Sequence, residues 1–357
     1  MLNRMTKDQE DGEHRVEEDP FDLFDDSDDD DDNNDDNNSS SSGSINNDGG
    51  FDDRIIRTER KSNEHYARDE SCGVMSFHFH TEQALLLHVR RALDISVCNH
   101  TGDLLSLSLA QRVLKAMDEF CMEKHWMMHI GPEKGTLICN ELEESYLRYL
   151  RDMSQIDADD DGRMKQVEKR SFTILELGTY CGYSSILFGN KLKIMAEKAS
   201  ISSELTPRII TVEVDEGHAK VARELIKLSN LHDIVTVVVE DDCTVLVENT
   251  IKPVLLSSQS NGIDFLFIDH DKDLYLDDYL ELERHNCLKV GSTIIADNVL
   301  FAGITNYVSH MKKKQERKES ETKTLHCTVE YSLEEEKKLG RDCVKDGIEV
   351  TRLLKIL

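Results

Sequence analysis

The chain has 357 residues, with 71 acidic against 43 basic side chains and a net charge of −28. So acidic a surface repels phosphate backbones and anionic lipid, which argues against nucleic acid and membrane partners. Apolar residues make up 38%, low for a chain folded throughout. The first 80 residues carry 24 acidic and 8 basic groups, so most of the excess lies there. Ten aspartates fall between Asp22 and Asp36, and no apolar side chain occurs from Asp25 to Ser44. Such a stretch cannot bury enough surface to offset chain entropy, so residues 1–75 read as a disordered acidic tail. The alternative is a tail that binds basic partners or loose divalent cations.

The start, Met1 to Gly12, has no apolar stretch of the signal-peptide kind, and no run of about 18 apolar residues follows. Nine cysteines without a CxxC pair suggest reduced thiols and a cytoplasmic location, with the nucleus as the alternative. Nothing indicates an oligomer, so a monomer is the default.

Globular patterning begins near Thr81. Ala110, Val113, Leu114, Met117, Phe120 and Cys121 fall on one helical face, and Thr136–Met153 reads as a second helix. Residues 76–153 thus form a helical cap, and 154–172 an acidic loop. In the core, 173–357, strand-like runs at Thr173–Leu177, Ile209–Val214, Ile234–Val239, Ile263–Ile268, Ser292–Ala296, Leu325–Glu330 and Ile348–Leu354 alternate with amphipathic stretches at Ser184–Ala196, Glu216–Leu228, Leu274–His285 and Ile304–Lys313. This predicts an α/β fold: a Rossmann-like, mostly parallel seven-stranded sheet with helices on both faces. Ligands of such sheets bind beyond the carboxyl ends of the strands.

The first core strand runs into Glu176-Leu177-Gly178-Thr179-Tyr180-Cys181-Gly182-Tyr183-Ser184. Its G-x-x-x-G spacing is neither a dinucleotide fingerprint nor a phosphate loop. A carboxylate here suits a cationic ligand, and Glu213, at the next strand end, can accept both hydroxyls of a ribose. Together they suggest S-adenosylmethionine, although a structural turn explains the glycines too. Further on, Asp269, Asp297 and Asn298 share one sheet edge, an oxygen donor set suited to Mg²⁺. Strand-end Asp and Asn also cap helices, which is the other reading.

These segments resemble the catechol O-methyltransferase family. The resemblance rests on Trp126-Met127-Met128-His129-Ile130-Gly131, the Glu176–Ser184 stretch, Asp269-His270-x-Lys272-Asp273-x-Tyr275-Leu276 and Ala296-Asp297-Asn298-Val299, across roughly Glu82 to Leu354. It implies a class I methyltransferase in which Met128, Ile130, Glu176, Gly178, Tyr180 and Ser184 surround the methionine part of S-adenosylmethionine. Glu213 would hold the ribose, and His270 would lie against the adenine. Asp269, Asp297 and Asn298 would bind Mg²⁺, and Lys272 would be the general base. The resemblance further implies a catechol-like vicinal diol as acceptor, which Trp126, Asp271, Lys272 and Asn298 would border.

Some positions depart from the family pattern. Asp271 replaces an aromatic wall and Ala302 a proline. Glu240-Asp241-Asp242-Cys243 replaces a small glycine-containing loop, with Asp241 or Asp242 available to the adenine amine. The family's late glutamate has no clear counterpart: Glu334, Glu335 and Glu336 are near, and Gly340 is the ungapped match. These changes allow a more polar acceptor; the other alternative is a non-catalytic adapter that keeps the fold and uses its tail and the Asp157–Glu168 loop for Ca²⁺-dependent partner binding. Outside the family pattern, Asp157, Asp159, Asp161 and Glu168 fit an EF-hand loop for Ca²⁺, with a solvated acidic loop as the alternative. Lys312–Lys318 reads as a solvated basic loop.

Overall fold

The computed structural model describes residues 81–98, 106–154, 157–158, 164–165, 170–199, 207–332 and 342–356. The acidic tail expected at 1–75 lies outside them. Among the described residues, three helices precede the sheet: α1 (Thr81–Cys98), α2 (Leu109–Glu123) and α3 (Gly131–Ser154). Ser108 caps α2, its side chain accepting from Gln111 N while Gln111 reaches back to Ser108 N. The six residues expected on its apolar face are all buried. Helix α3 begins at Gly131, five residues before the expected start. Pro132 suits that first turn because no N–H partner is needed there. Between α3 and the sheet, β1 (Asp157–Ala158) and β2 (Met164–Lys165) pair antiparallel.

The core follows as β3 (Thr173–Leu177), α4 (Tyr183–Lys198), β4 (Arg208–Glu213), α5 (Glu216–Leu228), β5 (Val235–Val239), α6 (Cys243–Leu246), α7 (Lys252–Ser257), β6 (Ile263–Ile268), α8 (Tyr275–Arg284), β7 (Leu288–Ala296), α9 (Thr305–Glu316), β8 (Ser320–Thr328) and β9 (Lys345–Leu353). Strands β3 to β9 form one sheet in the order β5-β4-β3-β6-β7-β9-β8. The first five pair parallel, and β9 pairs antiparallel with both β7 and β8.

Successive strand residues serve opposite faces. Ile174, Phe265 and Phe267 pack with α1 to α5, while Leu175, Leu266 and Ile268 pack with α6 to α9. Both faces are covered, which is why the sequence shows continuous apolar runs. Each fully buried Leu, Ile or Phe contributes about 1.5–3 kcal/mol. Chain order reverses at β3, with β4 on one side and β6 on the other. The crevice for a ligand therefore opens beyond β3 and its neighbours.

Two expectations need correction, and one helical stretch went unpredicted. The sixth core strand starts at Ser320, not Leu325: it is an edge strand whose ladder includes the charged Glu321 and Lys323, so no apolar run marks its start. The helical stretch α6–α7 was not legible. Its residues 247–251 wind as a π-helical turn just ahead of Pro253, which has no N–H to continue the regular ladder. The basic run Lys312–Lys318 is largely the end of α9. Lys314 falls on the helix face of Tyr307 and Met311, is 2% exposed, and places its Nζ 2.5 Å from Glu283 Oε1.

Candidate active site

Two sets of side chains meet beyond the parallel strand ends. The first grows from β3 and β4. Gly178 has φ +100°, and a Cβ there would stand 2.0 Å from the Asp269 carbonyl oxygen. Only glycine allows the β3 and β6 ends to approach this closely. Gly182, at φ +82°, starts α4. Glu176, two residues before Gly178, is fully buried. Ser185 Oγ donates to Glu176 Oε2, while Oε1 has no partner among the described residues. Burial, opposed by the hydroxyls of Ser184, Ser185 and Thr211, pushes the Glu176 carboxyl up to about 7.

Glu213 is aimed by the backbone. Its Oε2 accepts from Tyr180 N at 2.7 Å, and Oε1 accepts from Val214 N and Asp215 N, both at 3.0 Å. Ile130 is buried and Met128 half-buried at the loop leading into α3, and Ser184 is buried at the start of α4. Past β5, Asp242 serves as the N-cap of α6, accepting from Val245 N at 3.0 Å, and Asp241 is exposed.

The second set grows from β6 and β7, whose ends pair Ile268 with Ala296. His270 Nε2 lies 2.6 Å from Asp278 Oδ2, and its ring stacks on Tyr275 at 5.3 Å. Lys272 Nζ donates to Asp269 Oδ1 and to the Tyr275 hydroxyl, both at 2.8 Å. Asp297 is fully buried and Asn298 is 9% exposed. Asn298 Nδ2 donates to Asp346 Oδ2 at 2.9 Å and to Glu330 Oε1 at 3.2 Å. This fixes the amide so that Oδ1 faces away from those carboxylates. Two carboxylates and an amide oxygen at one edge form a hard donor set that fits Mg²⁺.

The structure adds a neighbour that the sequence reading missed. Carboxylate oxygens of Asp297, Glu330 and Asp346 lie within 4.8 Å of one another. Among them sits the Lys134 ammonium, 3.0 Å from Asp297 Oδ1, 2.5 Å from Glu330 Oε1 and 2.7 Å from Asp346 Oδ2. Burial opposes the Lys134 charge, but the three carboxylates outweigh it and hold its pKa well above the usual lysine value. Trp126 Nε1 donates to the Glu330 carbonyl at 3.0 Å, which ties the tryptophan to this side. Asp271 and Ala302 are exposed.

A profile of the O-methyltransferase family matches residues 140–353. The chain belongs to the O-methyltransferase family. Catechol O-methyltransferase of Bos taurus is 28% identical over 202 residues, covering 57% of this chain and 60% of that protein. The Mus musculus catechol O-methyltransferase is 27% identical over 231 residues, covering 65% of this chain and 68% of that one. The chain thus spans less than two thirds of the bovine relative's own length. The solved O-methyltransferase TomG from Streptomyces achromogenes, in complex with SAM, aligns with 68% of this chain and 90% of its own, at 14% identity and a TM-score of 0.44. Among the described residues, no helix is long and apolar enough to cross a membrane.

In this chain, the expected late glutamates Glu334, Glu335 and Glu336, with Gly340, lie outside the described residues. So do Asp159, Asp161 and Glu168 of the acidic loop, while Asp157 pairs through its backbone with Lys165. Lys134 did leave a signal. It occupies the stripe of Ile138, Leu142 and Tyr149 on α3, where a lysine is out of place unless it is paired. Glu330 and Asp346 left none, because only the β8–β9 pairing brings them together.

Proposed function

We propose that this protein methylates a hydroxyl of a small catechol-like vicinal diol, with S-adenosylmethionine as the donor and Mg²⁺ at the acceptor edge. The observation that carries the donor reading is Glu176 Oε1, a buried carboxylate oxygen with no partner among the described residues. A buried polar atom left unpaired is costly, and a ligand's ammonium would relieve it. Glu213, held by three backbone amides, offers its remaining lone pairs to the ribose hydroxyls. His270, braced by Asp278 and Tyr275, borders the adenine.

Asp269, Asp297 and Asn298 would hold Mg²⁺. Bound there, the donor supplies an electrophilic methyl group, and the cation supplies charge that orients and acidifies a diol. Lys272 Nζ takes the hydroxyl proton, and Asp269 and the Tyr275 hydroxyl fix its position for that task. Asp271, exposed at the acceptor edge, favours a second reading in which the diol also carries polar or cationic groups. The deciding experiment is a methylation assay across simple catechols and polar diols, with and without Mg²⁺. Product formed only with Mg²⁺ supports the proposal. No product from any diol, despite donor binding, would defeat it.

A further inference from the structure

Helix α1 reaches the donor side through charges that the transfer itself does not use. Glu82, in its first turn, is 4% exposed. Its Oε1 accepts from the Tyr180 hydroxyl at 3.0 Å and lies 3.6 Å from His218 Nε2. His218, near the start of α5, turns Nδ1 toward Glu213 Oε1 at 3.8 Å and Asp215 Oδ1 at 4.0 Å. Its ring stands edge-on to Tyr180 at 5.0 Å. Among the described residues, neither Glu82 nor Glu213 ion-pairs with a lysine or arginine, so this imidazole is the cation they share.

The electrostatics agree with the geometry. Burial opposes a charge on His218, yet Glu213 and Glu82 outweigh it and push the imidazole up to about 10. Burial also opposes the Glu82 carboxylate, but His218 and Tyr180 hold it below the usual value. Two buried carboxylates this near one ring are tolerated only while the ring is charged. Tyr180 adds mechanical coupling, because it hydrogen-bonds Glu82 through its hydroxyl and Glu213 through its backbone amide. Tyr180 also has φ +47°, a strained position for a non-glycine residue that its surroundings must maintain.

We infer that Glu82 and His218 are positioning residues for the methyl donor: the Glu82–His218–Glu213 chain clamps α1 onto the Tyr180 turn and holds Glu213 in place for the ribose. This rests on the reading of Glu213 as the ribose acceptor. It gives α1 a role in donor binding.

The test is calorimetry on the full chain with S-adenosylhomocysteine and its 2′-deoxyribose analogue, alongside thermal unfolding without ligand. Wild type should prefer the ribose form by about tenfold, the value of one good hydrogen bond to a charged group. His218→Gln and Glu82→Gln should each weaken S-adenosylhomocysteine binding about tenfold and cut the ribose preference below about twofold. Their combination should be little worse than either alone, because both break one clamp. Arg90→Ala, which removes the Arg90–Glu224 pair at 2.8 Å between the same two helices, should bind like wild type. Folded variants that bind normally, or bind weakly with the ribose preference intact, would overturn the inference. Should His218→Gln fail to fold, Glu82→Gln carries the same expectation and the same refutation. Wild-type protein that binds no S-adenosylhomocysteine would defeat the donor reading and the inference with it.

Discussion

The donor edge and the acceptor edge are both rich in carboxylate but handle it differently. At the donor edge, Glu176 is steadied by hydroxyls and Glu213 by backbone amides, and one Glu176 oxygen is left without a partner among the described residues. Neutral donors hold Glu176 in place without cancelling its charge, whereas Glu213 shares the His218 imidazolium with Glu82. At the acceptor edge, Asp297, Glu330 and Asp346 already enclose the Lys134 ammonium. There a fixed internal cation carries part of the balance, the Asn298 amide donates to Glu330 and Asp346, and Asp269 pairs with Lys272. Both edges hold an internal cation, but the donor edge keeps the Glu176 oxygen open to a charged ligand, whereas the acceptor edge closes three carboxylates around Lys134.

The harshest way to break this contrast is Lys134→Met. It leaves three close carboxylates buried without their cation, and loss of one partner from a buried ionic group costs about 3–5 kcal/mol. Urea unfolding should show that loss, with Mg²⁺ restoring part of it. A stability within 1 kcal/mol of wild type, or about that, would mean the cluster is not balanced by Lys134.

Lys272→Ala should lower turnover roughly a hundredfold or more, as expected for loss of a general base, while donor affinity stays unchanged. Single-turnover assays beside calorimetry separate the two. Full turnover would remove Lys272 as the base.

Glu176 sharpens the donor side through pH. With its carboxyl at about 7, it becomes neutral below that value and cannot pair with an ammonium. S-adenosylmethionine affinity should therefore fall as pH drops through 7, approaching about tenfold per unit, and Glu176→Gln should abolish the dependence. The apo protein shows the linked effect. Because the unfolded chain releases this proton first, the contribution of Glu176 to stability falls as pH rises from about 4.5 to about 7.

The smallest expected effect concerns the acceptor. Asp271→Phe should shift selectivity toward apolar catechols by about tenfold in kcat/KM ratio, the scale of one pocket contact. Competition between an apolar and a cationic diol would measure it, and an unchanged ratio would place Asp271 outside the acceptor wall.

The legible parts of this protein share one property: their information is local. The β-branched runs gave the parallel strands because burial on both faces demands continuous apolar residues. Glu176, Gly178 and Glu213 stood out because a strand end and its glycine turn are contiguous in the chain. Asp269, Asp297 and Asn298 were readable as strand-end oxygens for the same reason. The illegible parts depend on distant segments meeting. Lys314 looked like part of a solvated run until α9 turned it inward against Glu283. Glu330 and Asp346 reach Lys134 only through the antiparallel return of β8 and β9. Glu82 and His218 meet only when α1 packs against α5 and the Tyr180 turn.

By itself the sequence determined the sheet, the glycine turn and the oxygen donors at the strand ends, because strand periodicity and turn chemistry act over a few residues. Only the tertiary structure decided which charges share a partner. A buried ion is stable only where opposite charge converges on it in three dimensions, and spacing along the chain does not encode that convergence.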